Sequence, residues 1–308
     1  MQVDKSRDIL VLGEALVDEF ASGPVAGGAP FNLARSLAGL GLAPLFVGRI
    51  GTADAAGELV LGSMRRLGMD EAGLQRDAVH PTGRVRVLEE HRPGGGHRFV
   101  IEPDAAWDRL ALAPVEALLA ERAAPRLVCF GTLAQRGATA RASLQALLAR
   151  FERGRTLRYL DLNLREGADT RELAAHNLTL ADWLKVNEEE LARLLDWFAA
   201  DVPALMARFD LQRLVLTRGA AGYASYDARG ALEAQGPGLA VDRLVDTVGA
   251  GDGFSAMLLA ACLRGLPLAR ALALANRYAA ALCEWRGPVP EDPAFFAAWR
   301  SASRQQSG

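Results

Sequence analysis

The chain has 308 residues, of which 50% are hydrophobic and 23% charged, and its formal net charge is −2 at pH 7. This composition can bury a large core and fits one big domain, while the near-neutral charge provides no basic field that would attract a nucleic acid. No apolar run approaches the ~20 residues that a transmembrane helix needs, so neither nucleic acid nor membrane is an expected partner.

The cysteines and histidines bear on the compartment and on metal binding. The three cysteines lie in apolar surroundings without C-x-x-C spacing, which predicts core thiols in a reducing compartment. Residues 1–8 are charged and pass into a strand-like run instead of the apolar segment of a signal peptide, so the cytoplasm is the expected location. The four histidines show no zinc-site spacing.

Short apolar strands alternate with helical segments along most of the chain. The first strand is expected at 9–13 and a second at 44–51, each followed by a helix, at about 33–41 and 54–67. Farther on, helices near 114–122 and 138–151 alternate with strands at 126–130, 157–161, 183–186 and 213–217. This alternation predicts a doubly wound, mostly parallel sheet with helices on both faces, and a ligand beyond the carboxyl ends of its strands.

A hairpin interrupts the alternation. Residues 83–90 and 97–102 have strand character and flank a turn that contains Gly94, Gly95 and Gly96. An inserted hairpin is a candidate lid over a ligand site, and ordinary surface decoration is the alternative interpretation.

The clearest functional signal is a glycine-rich stretch from Asp246 to Ala256, which reads D-T-V-G-A-G-D-G-F-S-A and runs into an apolar helix. Glycines at a helix start let the backbone approach a ligand, and the unpaired amides there suit a phosphate. Asp252 places a carboxylate among these amides, which suggests a general base beside a phosphoryl group. An N-capping aspartate is the alternative, and the chain contains no Walker A motif.

The pattern D-T-x-G-A-G-D-x-F resembles the C-terminal signature of the ribokinase or PfkB family of carbohydrate kinases, with every fixed position present. The resemblance implies that Asp252 is the base and that the amides of Gly249, Ala250 and Gly251 form the hole for the transferred phosphoryl group. It also implies ATP as the phosphoryl donor.

A second segment, G-G-x-P-x-N-x-A from Gly27 to Ala34, resembles the N-terminal signature of the same family. By themselves, Asp18 and Asn32 would fit turn and cap chemistry. With the resemblance, Asp18 is expected to hold sugar hydroxyls, and Gly28 and Asn32 are expected to lie beside it in the sugar pocket.

Other segments resemble the family's nucleotide and metal elements. The D-x-N-x-R segment at 161–165 is similar to that of the fructokinase and 2-keto-3-deoxygluconate kinase branches, where Arg165 would reach toward substrate or phosphates. The N-x-x-E element implies that Asn187 and Glu190 organise a hydrated Mg²⁺ and that Lys185 lies near the nucleotide phosphates.

Three further features complete the implied site. Thr217, Gly219 and Gly222 resemble the family's T-L-G-x-x-G turn beside the nucleotide, with Arg218 in place of the leucine. Asn276 matches a position that meets adenine in relatives. The loop 283–288, together with Asp246 and Val248, resembles a site for an activating monovalent cation such as K⁺.

The resemblance implies one ribokinase-like kinase domain over residues 1–308, with a small β lid from about 14–27 and 83–103. The implied reaction is ATP-dependent phosphorylation of a primary hydroxyl of a small sugar. Fructose or a related ketose leads, because 2-keto-3-deoxygluconate would need a cation or phenol near its carboxylate and the lid lacks a clear Tyr-x-Arg. The nearest segment is His97-Arg98-Phe99, which makes Phe99 a candidate substrate contact.

Several alternatives remain open from the sequence. Ribose and nucleosides are further candidate substrates, and a non-catalytic sugar- or nucleotide-binding relative is the alternative from another functional class. Family analogy also suggests a homodimer through the lid hairpin, which the sequence does not decide.

Overall fold

The computed structural model describes residues 8–52, 54–89 and 97–304, apart from the side chains of 87–89 and 97–99. The described residues form thirteen strands: β1 (Ile9–Leu12), β2 (Leu16–Phe20), β3 (Gly23–Gly27), β4 (Leu45–Gly51), β5 (Leu74–Asp77), β6 (Gly83–Glu89), β7 (His97–Ile101), β8 (Leu127–Phe130), β9 (Leu157–Asp161), β10 (Trp183–Asn187), β11 (Arg213–Thr217), β12 (Tyr223–Tyr226) and β13 (Leu232–Gly236).

The described residues also form ten α-helices: α1 (Ala29–Gly39), α2 (Ala55–Arg66), α3 (Leu112–Ala120), α4 (Ala138–Leu148), α5 (Arg171–Leu180), α6 (Glu188–Phe198), α7 (Val202–Phe209), α8 (Ala250–Leu263), α9 (Leu268–Leu282) and α10 (Pro293–Ala302). Short 3₁₀ turns lie at Ala106–Arg109, Leu133–Gln135 and Gly219–Ala221.

Nine strands form the main sheet, in the order β13-β12-β11-β10-β9-β8-β1-β4-β5. The pairings from β11 to β5 are parallel, and β12 and β13 add an antiparallel edge. In β1, Ile9 and Val11 belong to one hydrophobic core while Leu10 and Leu12 belong to another. Because successive side chains of a strand point to opposite faces, both faces of the sheet are covered, as the sequence predicted.

Helices from different parts of the chain cover the two faces. The core on the first face includes side chains of α1, α2, α8, α9 and α10, and the core on the second includes side chains of α3 to α7. Helix α1 packs against α8 on the first face. This packing brings the two glycine-rich signatures together, although they lie at opposite ends of the chain.

A separate four-stranded sheet has the order β3-β2-β6-β7. The pairs β2-β3 and β6-β7 are antiparallel, whereas β2 and β6 run parallel. The predicted hairpin is therefore confirmed, while its turn at 90–96 lies outside the described residues. Leu16 and Val85 of this sheet pack on Ala105 and Trp107 to form a small core of their own. We call this sheet the lid.

The structure corrects one helix boundary and adds strands that the sequence did not reveal. Helix α1 begins at Ala29, so Asn32 lies in its first turn and not before it. Pro30 suits this turn because its fixed φ is close to the helical value and its missing N–H would have no acceptor there. Strands β5 and β13 are short and rich in polar residues, so they lack the apolar pattern on which the strand predictions depended, and the four-residue strand β12 was not predicted either.

Candidate active site

A cleft of about 570 Å³ lies between the carboxyl ends of the main sheet and the lid. The lid contributes Leu16, Asp18, Val85 and Ile101 to its wall. The start of α8 lies opposite, and the ends of β10 and β11 continue the wall on one side. A volume of this size is typical of small-molecule sites.

Among the described residues, no helix combines the length and the apolar character that a membrane span needs.

The start of α8 is built for an anion. Gly249 is the N-cap residue, with φ at 79°, and the first intrahelical bond runs from the Gly253 N–H to the Gly249 carbonyl oxygen at 2.8 Å. The helix therefore provides no acceptor for the amides of Gly251 and Asp252, while the Ala250 N–H donates to the Thr247 carbonyl oxygen at 3.3 Å. Gly249, Gly251 and Asp252 line the cleft.

Asp252 lies in the first turn of α8 without capping it, since Gly249 holds the cap position and no side chain caps the helix. Its Oδ2 accepts a hydrogen bond from Asn32 Nδ2 of α1 at 2.8 Å. Burial raises the pKa of Asp252 to about 6, and the Asp161 carboxylate adds to this rise, while Lys185 and Asn32 oppose it. At neutral pH the carboxylate is largely unprotonated and can accept a proton.

Beneath the start of α8 lies a buried polar chain. Lys185 Nζ donates to Asp161 Oδ1 at 3.0 Å, Ser255 Oγ donates to Asp161 Oδ2 at 3.0 Å, and Tyr159 Oη donates to Ser255 Oγ at 2.8 Å. A Cβ atom at Gly251 would lie 3.1 Å from Lys185 Nζ, so the ammonium group is directly behind this glycine. Although burial lowers the pKa of Lys185, the carboxylates of Asp161, Glu190 and Asp252 outweigh this effect and raise it.

The lid side of the cleft carries a buried carboxyl group, that of Asp18. Asp18 of β2 is 6% exposed and lies against Gly27, where a Cβ atom would collide with its carboxylate. Burial raises the pKa of Asp18 to about 7, because the opposing charge of Arg35 offsets only part of the desolvation. Gly28 has φ at 103°, and a Cβ atom there would lie 2.6 Å from the Glu14 carbonyl oxygen. Both glycines are therefore required for this close approach.

Glu14 is a cleft residue that the sequence reasoning missed. It lines the cleft at 1% exposure, and neither of its carboxylate oxygens has a hydrogen-bond partner of good geometry. Burial raises its pKa to about 8, although the nearby backbone amides of Glu14 and Ala29 oppose the rise. The signal was present in the sequence, since a glutamate directly follows the apolar strand β1 and Gly13.

The opposite end of the cleft contains three of the six residues predicted to bind the nucleotide, Lys185, Asn187 and Thr217. Arg165 and the predicted Mg²⁺ residue Glu190 line it as well. Glu190 Oε1 accepts the Leu164 N–H at 2.8 Å, and its Oε2 accepts the Asn187 N–H at 2.9 Å. Asn187 in turn caps α6. These bonds fix the D-x-N-x-R segment beside the start of α6.

Three predicted nucleotide residues lie outside the lining of this cleft. Gly219 and Gly222 are in the turn between β11 and β12, both with positive φ. Asn276 of α9 donates from its Nδ2 to the Pro237 carbonyl oxygen at 2.9 Å, so it holds the segment after β13.

The segment before α8 contacts the loop that was predicted to join it. Asp246 Oδ1 accepts the Val248 N–H at 3.0 Å, and Asp246 Oδ2 accepts the Gly287 N–H at 3.1 Å. Gly249 packs against Pro288 of the same loop.

In the part of the chain that the structure describes, no group of three or more His, Cys, Asp or Glu side chains could hold a metal ion. The side chain of Phe99 lies outside the described residues.

Comparison with known proteins settles the family. The model of the pfkB family carbohydrate kinases matches residues 10–294. This chain belongs to that family. The carbohydrate kinase is 32% identical to a fructokinase of Klebsiella pneumoniae over 309 residues, which cover 92% of this chain and 96% of the relative.

Solved structures show the same fold. A fructokinase from Xylella fastidiosa with bound ATP superposes with a TM-score of 0.82 at 23% identity, covering 96% of this chain and 98% of that one. A fructokinase double mutant from Vibrio cholerae O395, in a form with bound fructose, ADP and potassium ion, gives a TM-score of 0.78 at 23% identity with the same coverage. The predicted ribokinase-like fold and the predicted activity as an ATP-dependent carbohydrate kinase are confirmed.

Proposed function

We propose that this carbohydrate kinase transfers the γ-phosphoryl group of ATP to a primary hydroxyl of fructose or a related ketose. The observation that carries the proposed chemistry is the position of the Asp252 carboxylate, which lies among first-turn amides of α8 and accepts a hydrogen bond from Asn32. The assignment of the sugar is supported by the fructokinase relative at 32% identity.

In the proposed reaction, Asp252 accepts the proton of the attacking hydroxyl group. The hydroxyl oxygen bonds to the γ-phosphorus, the bond to the β-γ bridging oxygen breaks, and ADP leaves. The amides of Gly249, Ala250 and Gly251 are proposed to face the charge on the transferred phosphoryl oxygens, for which the Ala250 N–H would have to leave its 3.3 Å bond to the Thr247 carbonyl oxygen. Lys185 adds its positive charge from beside Gly251. Positioning and electrostatic stabilisation lower most of the barrier in such transfers.

The sugar is proposed to bind between the lid and α8. Asp18, Gly28 and Asn32 would hold its hydroxyl groups, with Arg165 and Phe99 as further contacts. Glu14, Asp18 and Asp252 bring carboxyl groups to the wall of the described cleft, while Arg165 and Lys185 bring positive charge to it. Of the three carboxyl groups, Asp252 has a pKa of about 6 and is largely ionised at neutral pH, so it would repel the carboxylate of an acidic sugar such as 2-keto-3-deoxygluconate, which supports a neutral sugar.

ATP is proposed to lie along the ends of β10 and β11, in contact with Lys185, Asn187 and Thr217. The turn that contains Gly219 and Gly222, together with Asn276, would accommodate its base. Glu190 fits a hydrated Mg²⁺ because it lines the cleft and each oxygen that accepts an amide keeps a further lone pair. Mg²⁺ would neutralise phosphate charge during transfer.

A monovalent cation, K⁺, is proposed beside Asp246 and Val248. These two residues are already tied to each other and to loop 283–288, so a cation bound there would stabilise the segment that leads into α8. K⁺ would therefore support the shape of the anion hole without contacting the reacting atoms.

At the scale of the chain, we propose a single kinase domain over residues 1–308, with the lid from about 14–27 and 83–103. A homodimer through the lid hairpin is the assembly that the resemblance suggests. The free cysteines Cys129, Cys262 and Cys283 support a reducing compartment, the cytoplasm, as the location.

A substrate panel tests the proposed sugar. ADP release is measured with fructose, 2-keto-3-deoxygluconate, ribose and nucleosides, each over a range of concentrations with ATP and Mg²⁺ present. We expect the highest kcat/KM for fructose or another neutral ketose. A higher kcat/KM for 2-keto-3-deoxygluconate would contradict the proposed preference for a neutral sugar. A higher kcat/KM for ribose or a nucleoside would contradict the assignment of a ketose as the substrate.

A further inference from the structure

Arg35 of α1 is a buried arginine next to the proposed catalytic base. It is 1% exposed, and its Nη2 donates to Asn32 Oδ1 at 2.6 Å and to the Ala26 carbonyl oxygen of lid strand β3 at 2.6 Å. Its Nη1 donates to Ser63 Oγ of α2 at 3.1 Å. A buried guanidinium group is costly unless acceptors compensate it, so three acceptors from three elements around Nη1 and Nη2 indicate a built arrangement, while the buried Nε has no acceptor.

The bond from Arg35 decides which way the Asn32 amide faces. A guanidinium group can only donate hydrogen bonds, so the atom of Asn32 that contacts it must be the amide oxygen. The amide nitrogen is then directed at Asp252, to which it donates at 2.8 Å. Without Arg35, the Asn32 side chain could rotate and present its oxygen to the Asp252 carboxylate.

We propose that Arg35 is a positioning residue for phosphoryl transfer, which orients the Asn32 amide toward Asp252 and ties this pair to the lid through the Ala26 carbonyl oxygen. This inference rests on the proposed role of Asp252 as the base. Arg35 acts through Asn32 and does not line the cleft itself.

A second set of contacts holds the other side of the guanidinium group. Glu291 Oε1 lies 3.7 Å from Arg35 Nη1 and accepts a hydrogen bond from Ser63 Oγ at 2.6 Å, while its Oε2 pairs with Arg66. The guanidinium group also stacks over the ring of Phe31 at 4.9 Å. The side chain is thus fixed from the outside by α2 and by the segment before α10.

Arg35 is also a positive charge facing the carboxyl groups of the sugar pocket. Burial lowers its pKa to about 10, while Glu291, Asp18 and Asp252 raise it and Arg66 lowers it. Arg35 is therefore charged at neutral pH, and it lowers the pKa of Asp18. Loss of this charge is expected to raise the pKa of Asp18 and Asp252, whose other titratable and charged neighbours are Glu14, Arg165, Lys185, Asp161 and Asp246.

Kinetics of Arg35→Met and Arg35→Lys test the proposal. For Arg35→Met we expect kcat to fall roughly tenfold to a hundredfold, because the base loses its orienting contact. The acid limb of the profile of sugar kcat/KM against pH is expected to move upward by about one unit, while the KM for ATP stays unchanged. Arg35→Lys keeps the positive charge but loses the planar, multiply donating guanidinium group, so kcat should fall roughly tenfold. The acid limb of the pH profile should stay at its wild-type position.

Arg158→Met is the matched control. Arg158 of β9 is 6% exposed and pairs with Asp182 at 2.8 Å, but it lies at the other end of its strand from Asp161. This variant should lose stability and keep the wild-type kcat per folded molecule and the wild-type acid limb. It therefore separates the cost of removing any buried arginine from the effect on the base.

Two outcomes overturn the proposal. One is a folded Arg35→Met variant with wild-type kcat and an unmoved acid limb. The other, which decides the case if Arg35→Met does not fold, is Arg35→Lys with wild-type kcat. Asp252→Asn distinguishes failure of the underlying mechanism: if that variant is slow while the Arg35 variants are normal, only the role of Arg35 is lost.

Discussion

At the scale of residues, the cleft is distinguished by buried carboxyl groups, whose ionised forms are disfavoured because they are removed from water. Glu14, Asp18 and Asp252 come from β1's end, β2 and α8, and burial is the largest cause of the raised pKa of each. Groups that interact in this way titrate together. A proton can therefore be accommodated at several positions beside the sugar, while only Asp252 also lies at the anion-binding helix start.

Glu14 gives a stability prediction with a definite sign. Its pKa is about 8 in the folded protein against an ordinary value of 4.5, so between these pH values the folded state binds a proton that the unfolded state has lost. The contribution of this group to the free energy of unfolding is fully present below pH 4.5. It is lost as pH rises toward about 8, at a rate of at most about 1.4 kcal/mol per pH unit.

We therefore expect Glu14→Gln to melt at an increasingly higher temperature than the wild type as pH rises from 5 to 8. Thermal unfolding of ligand-free protein at several pH values measures this difference. Glu121→Gln, at the exposed end of α3, is the control and should show no such trend. Parallel curves for wild type and Glu14→Gln would show that the carboxyl group does not titrate abnormally.

At the scale of elements, the first turn of α8 depends on a left-handed residue packed against another loop. Gly249 has φ at 79°, and a Cβ atom there would lie 2.5 Å from Pro288 Cβ and 2.6 Å from the Pro288 carbonyl oxygen. Since Pro288 belongs to the loop that Asp246 also contacts through Gly287, the helix start and this loop form one unit.

Replacing Gly249 with alanine should shift this unit. We expect Gly249→Ala to lower both the melting temperature and kcat, because the new methyl group meets backbone atoms that cannot move independently. The matched control is Gly68→Ala, at φ 65° with open space around its Cβ position. That change should cost only about 1–2 kcal/mol for the left-handed conformation and leave kcat unchanged. Equal effects of the two changes on kcat would contradict the proposed importance of the α8 start.

At the scale of the fold, the sequence predicted the features that show in a regular pattern or in a short motif. The alternation of apolar strands and helices predicted the parallel sheet, and the two glycine signatures predicted which helix starts would face the cleft. Glu14 was missed because its significance depends on burial, which follows only from the packing of α1 and the lid around it. Arg35 was missed for the same reason, since its partners come from β3, α1 and α2.

The strands at the sheet edges were missed for a different reason. Strand β13 is largely exposed and β5 has the sequence LQRD, so neither shows the buried apolar run on which the prediction depended. Their place is fixed by pairing with β12 and β4 and not by their own composition.

Single-turnover and steady-state kinetics of Asp252→Asn test the role of this carboxylate as the base. Asn32 can still donate to the new amide oxygen, so the fold and the binding of sugar and nucleotide, measured by calorimetry, should be retained. We predict that kcat falls by at least roughly a hundredfold, because the hydroxyl proton loses its acceptor. A variant that binds both ligands and turns over at near wild-type rate would contradict the assignment of Asp252 as the base.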